Sequence, residues 1–133
     1  MNPDATSRGT VLVCDDSLLM RKMVIDALEA DGWTIAGEAT DGAEAIAQFL
    51  KLRPNLVTMD IVMPGEDGIH GLSGILAEDP RASVVMISAL NQTKMVSEAI
   101  RKGAEDFIVK PFLPEQVQET AQRISRQWAV AGN

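Results

Sequence analysis

Apolar residues along this chain fall alternately into short unbroken runs and into longer stretches that repeat every three or four positions. Val11, Leu12, Val13 and Cys14 form a run too short for a globular helix and β-branched at two positions, which predicts a strand. Ser17 can cap the helix that follows, where Met20, Met23, Val24, Ala27 and Leu28 recur at helical spacing until Gly32 ends it. Residues 33–39 are a second strand candidate with weaker apolar content, suiting a sheet edge. Asp41 can cap a helix carrying Ala43, Ile46, Ala47 and Leu50 on one face, stopped before Pro54.

Leu56, Val57, Thr58 and Met59 make the third strand, broken by a loop holding Pro64 and Gly65. A third helix is predicted from about residue 66 to residue 79, although Gly71 and Gly74 each cost about 1 kcal/mol against Ala inside it. Val84 to Ile87 is the fourth strand, and Asn91 begins a helix bearing Met95, Val96, Ala99 and Ile100, closed by Gly103. Phe107, Ile108 and Val109 form the fifth strand. The last helix begins near Pro114 and carries Val117, Ala121, Ile124 and Trp128. Runs without alternation imply strands buried on both faces, and strand–helix alternation implies a parallel sheet covered on both sides. The predicted fold is a single-domain α/β doubly wound (βα)5 sandwich with a parallel five-stranded sheet. It spans residues 10–130, after a polar leader over residues 1–9 that reads as flexible.

The residues that end the apolar runs carry the chemistry. The first run ends in Asp15 and Asp16, the third in Asp60, the fourth in Ser88 and the fifth in Lys110. Parallel strands all point one way, so these ends share one edge, where open α/β sheets bind their ligands. Each residue alone has a plain structural explanation: a helix cap for Asp15–Asp16 or Ser88, a turn acid for Asp60, a solvated strand end for Lys110. Their joint placement argues for a site. Three carboxylates together raise one another's pKa unless a cation sits among them. Oxygen ligands with no nearby His or second Cys suit a hard cation such as Mg2+. Lys110 can hold a phosphoryl oxygen and the Ser88 hydroxyl can donate to another, so the set fits phosphoryl chemistry. Cys14 reads as a small buried residue and His70 as a surface residue.

Composition narrows the picture further. The chain has 133 residues, the size of one domain, with 46% hydrophobic and 23% charged residues, ordinary for a globular protein. Seven Met and 4% aromatic residues predict an aliphatic and thioether core. A net charge of −7 gives no footprint for nucleic acid or an anionic membrane. It favours basic partners or a divalent cation, or simply solubility. A single cysteine cannot form an internal disulfide, which favours a reducing compartment. No run reaches the ~18 apolar residues of a membrane span, so a cytoplasmic location is expected.

Five motifs resemble the receiver domain of bacterial response regulators: Cys14-Asp15-Asp16-Ser17; Met59-Asp60-Ile61-Val62-Met63-Pro64; Asp67-Gly68; Ser88-Ala89; and Phe107-Ile108-Val109-Lys110-Pro111-Phe112. The resemblance runs from about Thr10 to Arg126. Among receivers the chain looks most similar to stand-alone CheY-type chemotaxis regulators. The resemblance implies a flavodoxin-like strand order 2-1-3-4-5 and a role as a two-component switch. Asp60 would take a phosphoryl group from a phosphohistidine on a CheA-like sensor histidine kinase. Asp15, Asp16, Asp60 and the backbone carbonyl of Val62 would hold Mg2+ or Mn2+. Ser88 and Lys110 would bond the phosphoryl group, Phe107 would be the aromatic switch, and the Lys110–Pro111 peptide would be cis.

Such a chain catalyses its own phosphorylation and self-dephosphorylation rather than conventional turnover. Val62 and Leu90 stand where receivers flank the attacking water, and both are apolar, which predicts slow loss of phosphate with or without a phosphatase. Phe107 lacks the hydroxyl of the tyrosine common in chemotaxis receivers. Output is expected through docking of the fourth helix, fifth strand and fifth helix to a partner such as a flagellar motor protein, since the sequence leaves no room for an output domain. Alternatives are a phosphorelay or scaffold receiver, the receiver of a longer methylesterase or transcription factor, and a Mg2+-dependent hydrolase or flavin binder. The hydrolase is weakened by Val62 in place of a second acid, and the flavin reading by the absence of a phosphate loop after the first strand.

Overall fold

A computed structural model describes residues 7–63, 65, 67–89 and 91–131. Five strands and five helices alternate along it: β1 (Thr10–Cys14), α1 (Leu18–Ala30), β2 (Thr34–Ala39), α2 (Gly42–Leu52), β3 (Leu56–Asp60), α3 (Gly68–Glu78), β4 (Val84–Ala89), α4 (Thr93–Lys102), β5 (Asp106–Lys110) and α5 (Pro114–Ala131). Polar caps set where the helices start. Ser17 Oγ accepts the Met20 N–H, Asp41 the Glu44 N–H and Asp67 the His70 N–H, each satisfying a backbone donor that a helix leaves open. Gly103 closes α4 in a left-handed conformation (φ 118°) that a side chain would strain.

The strands are all parallel, in the order β2-β1-β3-β4-β5. The weakly apolar second strand therefore lies at an edge. Alternation along the strands divides the core in two. Leu12, Cys14, Val57, Met59 and Met86 face Ala45, Phe49, Leu72 and Ile75 of α2 and α3. Val11, Val13, Leu56, Val85 and Ile87 face Val24, Leu28, Val117 and Ile124 of α1 and α5. Fully burying one such aliphatic side chain stabilises the fold by about 1.5–3 kcal/mol. The two layers hold the sheet rigid beneath its carboxyl-terminal edge.

Three helical readings need correction. The apolar face of α2 is Gly42, Ala45 and Phe49, not Ala43, Ala47 and Leu50, which are exposed; of the predicted set only Ile46 packs inward. Alanines are too small to fix a helix's rotation, and the bulky Phe49 decides it. In α4 only Ala99 is buried, and Ile100 lies open. Helix α3 begins at Gly68 rather than residue 66 because Asp67 is its cap. Its glycines are close-packing positions: a Cβ at Gly71 would stand 3.2 Å from Gly42 Cα, and one at Gly74 would overlap Ile46. Of the proposed leader, Arg8 donates its N–H to the Gly32 carbonyl at 2.9 Å, and Gly9 accepts from Thr34 at 2.9 Å.

Candidate active site

Strand ends deliver the functional side chains to one place. Met59 pairs with Cys14 and Asp60 with Ile87, so Asp60 ends β3 beside the Asp15–Asp16 turn that follows β1. Carboxylate oxygens of Asp15, Asp16 and Asp60 all lie within 4.8 Å of one another. Asp15 and Asp60 are buried, while Asp16 is exposed and opens the cluster to solvent. Lys110, the last residue of β5, reaches across: its Nζ donates to Asp60 Oδ2 at 3.2 Å and to Asp15 Oδ2 at 3.4 Å. The peptide bond after it, Lys110–Pro111, is cis.

Burial pushes the Asp60 carboxyl above the usual carboxylate range, and the nearby Asp15 charge adds to this. The Lys110 ammonium, its hydrogen bond, and the Val62 N–H partly offset the shift. A divalent cation among these oxygens would favour the ionised form further. Hard oxygen donors, one of them solvent-facing, fit a divalent cation that keeps part of its water. Cys14, directly behind the acids, is buried, and burial followed by the Glu44 and Asp15 charges pushes its thiol up, so it is an inert core residue.

Ser88 sits within β4, 1% exposed, and its Oγ has no hydrogen-bond partner among the described residues. Phe107, in β5, is 42% exposed. Between them lies a groove of about 550 Å³ lined by Ser88, Thr93, Val96, Ile100, Phe107 and Val109. Val62 is 51% exposed beside Asp60, and Leu90 lies outside the described residues. The structure thus gathers Asp15, Asp16, Asp60 and Lys110; Ser88 follows Ile87, the β4 partner of Asp60, and its hydroxyl bonds to none of them. His70 is exposed on α3, as expected.

The family model of the response regulator receiver domain matches residues 11–122. The chain belongs to that family. As a receiver it is 46% identical to the chemotaxis protein CheY of Thermotoga maritima, over 87% of this chain and 97% of that one. It is 50% identical to Protein CcdB of Bacillus subtilis, over 86% of this chain and 95% of that one. Among solved structures, the CheX-CheY-BeF3-Mg2+ complex from Borrelia burgdorferi matches with a TM-score of 0.85 and 36% identity, covering 93% of this chain and 94% of that one. The chain is a two-component response regulator of the chemotaxis kind, working between a histidine kinase and downstream targets. No described helix of this receiver is long and apolar enough to cross a membrane.

Sequence reasoning missed two neighbours of the receiver site. Thr58, two residues before Asp60 on the same strand, is buried with an unpartnered hydroxyl. Arg21 donates to the Asp15 carbonyl at 2.8 Å. A polar residue in an apolar run could have flagged the first; nothing in the sequence pattern flags the second.

Proposed function

We propose that Asp60 is the phosphoryl acceptor of this receiver, taking its phosphoryl group from a phosphohistidine on a CheA-like kinase. An Asp60 carboxylate oxygen attacks phosphorus and the P–N bond breaks. The electron pair stays on the imidazole nitrogen, and the ring leaves as neutral imidazole because its other nitrogen already carries a proton. Asp15, Asp16, Asp60 and the Val62 carbonyl would hold Mg2+ or Mn2+, which supplies charge neutralisation for the transferring oxygens. Lys110 stands ready to pair with the phosphoryl group, since it already bridges Asp15 and Asp60.

The observation that carries this reading is the convergence of three carboxylates and one ammonium beside a buried hydroxyl without a partner. Ser88 gains an acceptor only when an anion is built onto Asp60. Its movement would leave space in the adjoining groove for Phe107 to turn inward. The changed surface of α4, β5 and α5 would then dock to a partner such as a flagellar motor protein, in the cytoplasm. The Borrelia CheY complex, with BeF3 and Mg2+, supports the same use of the site here.

Incubation with Mg2+ and acetyl phosphate should add one phosphoryl group, read by intact mass. A wild-type chain that stays unmodified, or an Asp60→Ala variant that is modified as readily, would refute the assignment. Val62 beside the acceptor predicts slow self-dephosphorylation, leaving room for a phosphatase. Loss of the adduct within seconds from purified protein would contradict this.

A further inference from the structure

Asp16 is the most exposed of the three acids, so its place depends on the backbone that carries it. The peptide bond joining Asp15 to Asp16 is a rigid plane, and whatever fixes the Asp15 carbonyl fixes that plane. Arg21 does so: its Nη1 donates to the Asp15 carbonyl oxygen at 2.8 Å. The same guanidinium is held from behind, its Nε donating to Glu38 Oε1 at 2.9 Å. The Arg21 side chain is only 13% exposed, while its Glu38 partner, at 46%, faces solvent.

A defect in the sheet makes the arrangement possible. Val11 pairs with Ile35, but Leu12 pairs with Gly37, so Ala36 is an extra residue in β2. Without that bulge, alternation would put Ile35, Gly37 and Ala39 on one face and Glu38 on the other. Instead Ile35 packs toward α1 and α5 while Ala39 packs with α2 and α3. The switch turns Glu38 toward α1, where Arg21 waits.

We propose that Arg21, held by Glu38, is a positioning residue for divalent-cation binding: it sets the Asp15–Asp16 turn in the geometry that the cation needs. The inference rests on reading that turn as a metal-holding element. Two roles predict opposite signs. A merely electrostatic Arg21 repels the cation, so removing its charge tightens binding. A positioning Arg21 holds the acids in place, so removing its fork weakens binding even as the local charge becomes more negative.

The test is calorimetric titration of Mg2+ alone into the unphosphorylated chain, wild type against Arg21→Lys and Arg21→Gln, with thermal unfolding of each in EDTA. Arg21→Lys keeps the charge and loses the fork. Its Mg2+ dissociation constant should rise about tenfold, the low end for groups that orient metal ligands. Arg21→Gln should also bind more weakly than wild type. Mg2+ affinity unchanged in Arg21→Lys, or tightened in Arg21→Gln, overturns the proposal, whatever happens to the melting temperature. Failure of wild type to bind Mg2+ would overturn the metal reading and this inference together.

Discussion

Replacing Ser88 with Ala should stabilise the unphosphorylated protein and cripple its activated form. The Ser88 hydroxyl is buried with no described partner, so the resting fold carries a desolvated donor. Such a group costs about 1–3 kcal/mol, and alanine removes it while vacating only one atom's volume. The resting variant should therefore gain about 1 kcal/mol or more, or about 3–5 °C in melting temperature for a chain of this size. With beryllofluoride on Asp60, wild-type Ser88 should, on the proposed function, gain a hydrogen bond to a charged acceptor, about 1.5–3 kcal/mol. The variant should bind beryllofluoride more weakly by about 10- to 150-fold, at 1.4 kcal/mol per decade. Urea unfolding with and without Mg2+ and beryllofluoride measures both effects. A resting Ser88→Ala protein less stable than wild type would mean that the hydroxyl is already satisfied, and the argument would fail.

The raised pKa of Asp60 gives a stability–pH prediction with a definite sign. A carboxyl that binds its proton more tightly when folded costs nothing below its unfolded pKa near 3.8. Without metal, its contribution turns unfavourable as pH rises through that value to the higher folded one, and stays so above. Asp60→Asn should thus out-stabilise wild type at pH 7 and not at pH 3; a less stable variant at pH 7 contradicts this. Mg2+ at about 100 times its dissociation constant should stabilise the wild type by about 2.7 kcal/mol, and much less in Asp60→Asn, by thermal unfolding. Gly68→Ala should cost about 3 kcal/mol or more. Its Cβ would overlap the Asp60 carbonyl oxygen and stand 2.8 Å from Ile61 Cα, so a well-folded variant with wild-type Mg2+ affinity would refute the claim.

Much of this was legible because the physics behind it is coarse. Buried parallel strands must be apolar throughout, so the charged residue that ends each run marks its own position: Asp15, Asp60 and Lys110 meet as their run ends foretold. What stayed hidden depends on rotation by one residue. The phase of α2 turned on Phe49 outweighing Leu50 and two alanines, Ala43 and Ala47, and the alternation in β2 turned on one inserted residue, Ala36. The Arg21 clamp inherits that illegibility, since Glu38 reads from sequence as pointing away from it. Helix α3 shows the converse: Gly71 and Gly74 look like breakers in isolation and turn out to be the surfaces on which α2 seats.

The tryptophans bear on how this protein can be watched. Trp33 immediately precedes β2, and Trp128 donates its indole N–H to Ser83, immediately before β4; the rings meet edge to face with centroids 6.0 Å apart. Both therefore belong to the amino-terminal rim of the sheet, a strand's length of about 17–20 Å from the acids. Their emission is a gauge of whether α5 remains seated, and is insulated from events at Asp60. Native fluorescence should stay quiet when the switch is thrown and change only on unfolding, so an optical readout of signalling needs an indole introduced at Phe107, the proposed switch position.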